Sequence, residues 1–431
     1  MRQGMVIAGA GMGGLSASIA MGLEGHSSTV LERRDVFAEL GAGIQLGPNS
    51  TRILHQWGLI EALKTYAAWP EQIEVFRFDQ TSSLAKLDLG VNFKDRYGAP
   101  YVTIHRADFQ ALLYKRMLAI GQTDLRMGSS LVDLKNQNDG VDIEIRTRAL
   151  SPAQSPLGSD TTQRAKTDLD ALPMMQLHAS ALIGADGVSS EVRRLEWPHR
   201  RIHSTPHLAY RATVPQKLLP LKLRQSGVRV FLGPQMHCVQ YPIRCGEWLN
   251  IVALMEAPFD AEHAMNEVQA PLQQAWTEKV SLDVMREHFR LALKGASSDL
   301  QELFKAVGEW SAWRLFDANP LTGAHQMVQG RVALLGDAAH PMLPFLAQGA
   351  GMSIEDADRL AKAWSHQDLS PGQRLQTYGN ARWLRNARVQ KRARANASIF
   401  HASGVMAGIR DLGLAVLGER LLDMPWLYGH R

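Results

Sequence analysis

Three carboxylates stand at the ends of apolar runs. Glu32 closes Thr29-Val30-Leu31, Asp186 follows Ala181-Leu182-Ile183-Gly184-Ala185, and Asp337 follows the run from Arg331 to Leu335 and Gly336. A carboxylate at the end of a buried strand can accept hydrogen bonds from sugar-like hydroxyls, and bare N–H groups at a following helix start can hold negative charge. One such junction is compatible with an ordinary strand–helix turn. Three in one chain argue for a large, extended ligand. A different chemistry sits on the segment from Met236 to Ile243. Alternation places His237, Val239 and Tyr241 on one face, with His237 and Tyr241 about 13 Å apart along the strand. They can flank a small aromatic ring, but they do not converge on one oxygen. A histidine with its ordinary pKa near 6.5 is suited to drawing off a proton at neutral pH. The plainer alternative is a core histidine with satisfied bonds beside a packing tyrosine.

The elements that must position these groups are legible around them. Met5 to Ala8 read as a buried strand, Gly9-Ala10-Gly11-Met12-Gly13-Gly14 as a G-x-G-x-x-G turn, and Leu15 to Leu23 as a helix. Glu32 follows about 20 residues on, at the distance where an acid meets the ribose of a bound dinucleotide. A second glycine-rich loop, from Glu39 to Asn49, enters a helix at about Ser50. Arg106 opens a helix after Tyr101-Val102-Thr103-Ile104-His105, as either a surface cation or a reader of ligand phosphate. The stretch from Gly336 to Met352 runs through a Pro-punctuated loop and small residues into an acidic-first helix expected at Ser353-Ile354-Glu355-Asp356. Val228–Leu232, Met236–Ile243 and Trp248–Met255 read as a β meander. Arg211, on the strand before it, is a candidate anchor for a carboxylate or else an ion-pair partner.

Composition sets the outer limits. The chain has 431 residues, 45% hydrophobic and 21% charged, with a net charge of +5 and a pI near 9.2. That length suits two or three interleaved domains. Scattered Lys and Arg give a mild preference for anionic ligands and no nucleic-acid signature. The basic run Arg382, Arg385, Arg388, Lys391, Arg392 and Arg394 reads as a solvated helix face. Cys238 and Cys245 carry no metal-ligand spacing and read as reduced thiols of a cytoplasmic protein. His199, His203 and His207 lie irregularly among Pro and Arg and read as a solvated connector, so no metal is expected. No charge-free apolar run reaches 18 residues, so no membrane span is expected. Residues 150–173 read as an exposed extension without catalytic duty, and residues 260–306 as helical without a motif.

The glycine fingerprint at 9–14, the stretch GADGVSSEVR at 184–193 and GDAAHPMLPFLAQGAGMSIEDA at 336–357 occur together and in that order. This combination resembles the single-component FAD-dependent aromatic hydroxylases of the para-hydroxybenzoate hydroxylase fold group. The segments GAGIQLGPN and YVTIHRADF look closest to its salicylate, 3-hydroxybenzoate and 6-hydroxynicotinate hydroxylases. The resemblance covers roughly residues 4–400. It implies an α/β fold in which a Rossmann-like FAD-binding domain (1–70, 98–200, 314–365) is interleaved with a β-sheet substrate domain (71–97, 201–313), with a C-terminal helical segment from 366 to 431. The end of the chain, 403–428, is apolar enough to cover the body or to pair with a second subunit as a homodimer.

The resemblance further implies that Gly9, Gly11 and Gly14 approach the FAD, with Glu32 on the AMP ribose and Arg106 along the cofactor. Asp186 would serve FAD and a transiently bound nicotinamide nucleotide, and Asp337 the ribityl chain. Pro344 would lie over the isoalloxazine near the oxygen-reacting position. Gly349, Ala350, Gly351 and Met352 would face the flavin's pyrimidine edge, and Arg33, Gln45 and Leu131 complete the implied cofactor set. His340 belongs to the same signature rather than to catalysis. The implied activity is hydroxylation of a small hydroxylated aromatic or heteroaromatic acid by NADH or NADPH and O₂, through a flavin hydroperoxide. His237 and Tyr241 would act as catalytic and substrate-binding groups, and Arg211 as substrate-binding. No second glycine fingerprint is visible, so the nicotinamide nucleotide is expected to bind only transiently. Two other readings remain open at this point: a flavoprotein acting on a larger non-acid substrate, such as an epoxidase or quinone-ring hydroxylase, and a non-catalytic dinucleotide-binding protein.

Overall fold

The run Met5-Val6-Ile7 is fully buried because it forms the interior strand of a mainly parallel sheet. Apolar residues on both faces of a strand are what a sheet covered on two sides demands. The computed structural model describes residues 2–37, 42–147, 173–256 and 282–430. Within them, Arg2–Ala8 lies parallel to both Ser28–Leu31 and Met174–Gly184. Thr123–Arg126 extends the sheet beyond Ser28–Leu31, and Val332–Leu334 extends it beyond Met174–Gly184. Glu32, Asp186 and Asp337 therefore leave the same edge of one sheet, from three of four consecutive strands. Sequence places these acids at strand ends; only the strand order brings them together.

The second sheet has seven strands. In spatial order they are Ser311–Asp317, His203–Pro215, Trp248–Glu256, Met236–Ile243, Val228–Gly233, Gln72–Arg77 and Ser83–Asp88. The meander forms as its alternation predicts. Because Ser311–Asp317 still pairs with His203–Pro215, the chain returns to the first sheet slightly beyond residue 314. One face of this sheet packs Tyr210, Cys238, Ile251 and Ala253 against Phe289, Leu300 and Phe304, from the helices Leu282–Ala292 and Ser298–Ala306. The opposite face carries His207, Arg211, His237, Val239, Tyr241, Asn250 and Val252, and looks toward the first domain.

A two-stranded ribbon, Gly43–Leu46 with Val102–His105, lies against that face. Tyr241 donates its hydroxyl to the Gly43 carbonyl at 2.6 Å, and Gly43 N–H donates to Asn250 Oδ1 at 2.6 Å. A side chain at position 43 would collide with Tyr241, since its Cβ would stand 2.5 Å from the ring.

The helix after Asp337 spans Gly349–Trp364, so it begins four residues earlier than its acids suggest. Glu355 and Asp356 are buried in its second turn rather than exposed in its first. They meet Arg382 and Arg385 of the helix Pro371–Phe400, which starts with a capping box at Ser370. The solvated-face reading of the basic run is thereby corrected for Arg382 and Arg385, while Arg388, Lys391 and Arg392 are exposed as it expected. Arg382 is completely buried and Arg385 nearly so, while Arg388 lies 4.2 Å over the Trp426 ring and Arg394 pairs with Asp317 at 2.5 Å. Arg382, Arg385 and Arg394 turn toward the body because acids on neighbouring elements need neutralising. Residues 150–172 and 260–281, for which the sequence suggested an extension and helix, lie outside the described residues. No single helix among the described residues is long and apolar enough to cross a membrane.

Candidate active site

At the glycine turn, two of the three fingerprint positions are fixed by the fold. Gly9 has φ +100°, and a Cβ there would meet the Ala185 carbonyl oxygen at 2.6 Å; a Cβ on Gly14 would meet the Gly9 carbonyl oxygen at 1.8 Å. Gly11 differs. Its φ is −71°, and no protein atom lies within 4 Å of the Cβ position. Neither strain nor internal packing calls for glycine at 11, whereas close approach of a ligand would. The Glu32 carboxylate accepts from Ala10 N–H at 2.9 Å and Arg34 N–H at 3.0 Å, which fixes it beside the turn, with Arg33 exposed. One Asp186 oxygen accepts from the N–H groups of Glu191 and Val192, while the other is buried without a partner. Burial pushes this carboxyl up from its ordinary range. Such an orphaned oxygen suits the hydroxyl of a bound ligand.

Asp337 is exposed at the mouth of the following loop, and a Cβ on Gly349 would stand 3.8 Å from its Oδ1. Arg106 is half-buried near it. Burial lowers the Arg106 guanidinium from its ordinary value, Asp337 opposes that shift, and Arg34 adds to it. Pro344 opens the turn Pro344–Leu346, which ends at Ala347 with φ +52°, an uncommon conformation for a residue with a side chain. Gln348, Gly349, Ala350, Gly351 and Met352 then form the start of the helix. Gln45 accepts the Tyr101 hydroxyl at 2.7 Å on the central ribbon. Leu131 lies farther off, on the hairpin strand Ser129–Asn136, packed against the core of the first domain.

Across the seven-stranded sheet, Arg211 pairs in register with Val252, and Val252 with Val239, midway between His237 and Tyr241. Arg211 is thus two strands, or roughly 10 Å, from the His237–Tyr241 strand. Its Nε is buried without a hydrogen-bond partner, and its guanidinium lies 5.4 Å from the Trp313 ring centre. Burial, with Arg106 repelling it, lowers the Arg211 pKa to about 10. A half-buried cation with a like-charged neighbour and a free N–H is prepared for an anion.

His237 is fully buried, its Nδ1 2.9 Å from His401 Nε2. Its ring centre lies 4.8 Å from that of Phe345, in the turn that Pro344 opens, and 5.2 Å from that of Phe400. Burial holds the imidazole well below its ordinary pKa, and His401 and His207 reinforce the effect. His237 is therefore neutral at pH 7 and a weaker base than the ordinary imidazole the sequence suggested, so it takes a proton only by passing another on. Tyr241 stands at the other end of the same face. Its hydroxyl is already committed to Gly43, and burial raises its pKa well above the ordinary value. The two residues share a face and serve different neighbourhoods.

Two participants escaped the sequence reading. His401 follows the last turn of a long helix and has no local motif. His207, read as part of a solvated connector, instead lies with its ring centre 5.2 Å from that of His401. Together with Glu256 these two histidines bring ligand atoms within 4.8 Å of one another. No periodicity links three segments so far apart; the strand register and the helix end do. His199 and His203 remain exposed, as a connector implies.

Residues 3–393 match the FAD binding domain family. The chain belongs to this family. It is 31% identical over 432 residues to 3-hydroxybenzoate 6-hydroxylase 1 of Aquipseudomonas alcaligenes, covering 100% of this chain and 98% of that protein. It is 33% identical over 430 residues to the 3-amino-4-hydroxybenzoate 2-monooxygenase PtnB3 of Streptomyces platensis, covering 99% and 96%. In fold it resembles a salicylate hydroxylase substrate complex, with a TM-score of 0.75, 23% identity and coverage of 100% and 96%. The chain is a flavin-dependent monooxygenase with FAD as its cofactor, and the resemblance read from the three sequence motifs is borne out. The open space at Gly11 and the orphaned Asp186 oxygen fit that cofactor.

Proposed function

We propose that this flavoprotein hydroxylates a small aromatic or heteroaromatic acid that already bears a ring hydroxyl. The observation that carries this reading is the pairing of a half-buried cation, Arg211, whose Nε has no hydrogen bond among the described residues, with a neutral buried base, His237, on one sheet face beside the Pro344–Leu346 turn. The relatives described above act on benzoates that carry both a carboxylate and a phenol. Bound FAD supplies the redox chemistry, accepting reducing equivalents from NADH or NADPH and activating O₂ for transfer of one oxygen atom to the ring.

The chain's own residues supply position and proton traffic. Gly9, Gly11 and Gly14, Glu32, Arg106, Asp186, Asp337 and the helix start at Gly349–Met352 hold the cofactor, with Arg33, Gln45 and Leu131 in outlying roles. Arg211 takes the carboxylate, and the ring lies over Val239 and Val252. His237 Nδ1 is engaged by His401, so Nε2 is the nitrogen available to take the phenolic proton. Removing that proton enriches the ring in electrons and favours electrophilic attack. Tyr241 acts through Gly43, holding the ribbon against the sheet. A single dinucleotide fingerprint goes with transient binding of NAD(P)H, and two free thiols with a cytoplasmic setting.

The exposed residues Val405, Ile409, Leu412 and Val416 of Gly404–Leu417 follow coiled-coil spacing. We read them as a homodimer face, which light scattering of the parent and of Ile409→Glu/Leu412→Glu would check; a monomeric parent refutes it.

The test of function is a screen of hydroxybenzoates and hydroxypyridine carboxylates for stimulation of NADH and NADPH oxidation with product formed. With the best acid, His237→Ala should lower hydroxylation by about 10²–10⁴ while flavin content stays normal. Parent turnover and an unchanged acidic limb in that variant would return His237 to core packing.

A further inference from the structure

A base that is fully buried must pass its proton on. We propose that His401 and Glu256 form the proton exit of this enzyme, carrying the substrate's phenolic proton from His237 to solvent. The proposal rests on the reading of His237 as the base. Its geometry is a line of three groups from three distant segments. His237 Nδ1 lies 2.9 Å from His401 Nε2, and His401 Nδ1 lies 3.4 Å from Glu256 Oε1. The side-chain exposure climbs from 2% at His401 to 37% at Glu256. Among the described residues His401 Nδ1 has no hydrogen-bond partner, and the 3.4 Å gap to the carboxylate is one that a small side-chain rotation closes.

The transfer balances with the negative charge left on the substrate phenolate and neither imidazole charged. The substrate O–H proton moves to His237 Nε2, and the proton on His237 Nδ1 moves to His401 Nε2. The proton on His401 Nδ1 moves to a Glu256 oxygen and from there to water. Both imidazoles end as the opposite neutral tautomer, and the same path run backwards resets them when the product phenolate regains a proton.

The surroundings favour passage over storage. His401 is faced by His207 and His237 from two strands, Glu256 from a third, and Arg410 from the helix Gly404–Leu417; Phe345 and Phe400 fill the remaining space. Arg410 is tied to Asp411 at 2.8 Å. Burial first, then His207 and Arg410, lowers His401 to about 3, so a proton does not rest there. Burial raises the Glu256 carboxyl above its ordinary value, making it a better proton acceptor than a fully solvated carboxylate.

The test uses holoenzyme with the acid that gives fastest coupled turnover in the screen. His401→Phe preserves the aromatic nest, and Glu256→Gln alters only a partly exposed side chain. Each should slow hydroxylation at least about tenfold with flavin content and KM unchanged, and each should change the solvent isotope effect on that step. The double variant should be no slower than the worse single one, because both interrupt one path, and Glu256→Asp should recover part of the loss. Parent rates and isotope effects in both single variants, or losses that multiply in the double, would overturn the exit path. If His237→Ala slows turnover while these variants do not, only the exit is wrong. If His237→Ala itself has no effect, the base reading falls first.

Discussion

Around the helix Gly349–Trp364 buried charge is compensated, whereas on the inner face of the seven-stranded sheet it is left open. Glu355 meets Arg382 at 2.8 Å and Arg385 at 2.5 Å, and Asp356 meets Arg382 at 2.7 Å and His340 at 2.6 Å. Every acid there has a cation, and Asn49 and Asn386 take further lone pairs. Burial by itself would raise the Asp356 carboxyl, but His340 and Arg382 outweigh it and hold that group well below the usual range. Among the described residues, Arg211 Nε, His207 Nδ1, His401 Nδ1 and Asn250 Nδ2 on the sheet face are buried without hydrogen bonds; around the helix His340 Nδ1 and Asn49 Oδ1 are too, but no atom of its Asp, Glu or Arg side chains is. Leaving such groups unpaired costs about 1–3 kcal/mol each. A fold retains that cost where a ligand or a moving proton recovers it, so the two regions separate scaffold from site.

Arg382→Met should give the largest effect. It takes one of two partners from each of two buried carboxylates, Glu355 keeping Arg385 and Asp356 keeping His340, and breaking a buried pair typically costs about 3–5 kcal/mol. Denaturant unfolding should show that loss, while the protein still folded at low temperature keeps its substrate KM. A large KM change with little loss of stability would erase the distinction between the two regions.

Arg211→Met should do the reverse. It removes an unpaired cation, so stability should stay level or rise. KM for the acid should increase by about 1.5–3 kcal/mol in binding terms, roughly 10- to 150-fold, the strength of a charged hydrogen bond. The corresponding ring lacking its carboxylate should lose its disadvantage in this variant. Marked destabilisation would mean that Arg211 is paired after all.

The regions should also part in pH. His237 and His401 resist protonation when folded and accept it when unfolded, so their contribution to stability falls as pH drops below about 6.5. Each such histidine contributes a slope of up to about 1.4 kcal/mol per pH unit. Asp356 and Glu355 are depressed when folded. Their contribution is complete above about pH 4–4.5 and is lost only as pH falls below it. Unfolding measured from pH 7 to 4.5 should therefore flatten in His237→Phe/His401→Phe and keep its slope in Asp356→Asn. The opposite pattern would reverse the assignment of the two clusters.

Tyr241→Phe should give the smallest effect. Only the bond to the Gly43 carbonyl is lost and the ring still packs, a net cost of about 0.5–1.5 kcal/mol. Hydroxylation should fall less than in His237→Ala; an equal fall would bring Tyr241 into direct contact with substrate.

What the sequence by itself determined is local and steric. The G-x-G-x-x-G turn, the acids that end apolar strands and the alternating meander are written in adjacent residues, because backbone sterics and the periods of strand and helix act over a few positions. Hence the local geometry proposed for the cofactor half of the site, Gly9 to Glu32, Asp186 and Asp337 to Met352, was legible along with the face shared by His237 and Tyr241. The pairing of charges was not. Arg382 and Arg385 resemble a solvated run until their acids, 26 to 30 residues away on another helix, are brought against them. His401 reaches His237 across 164 residues, and His207 passes for connector until strand register sets it beside both. Whether a buried polar group is satisfied depends on what the far ends of the chain bring to it, and only the tertiary structure decided that.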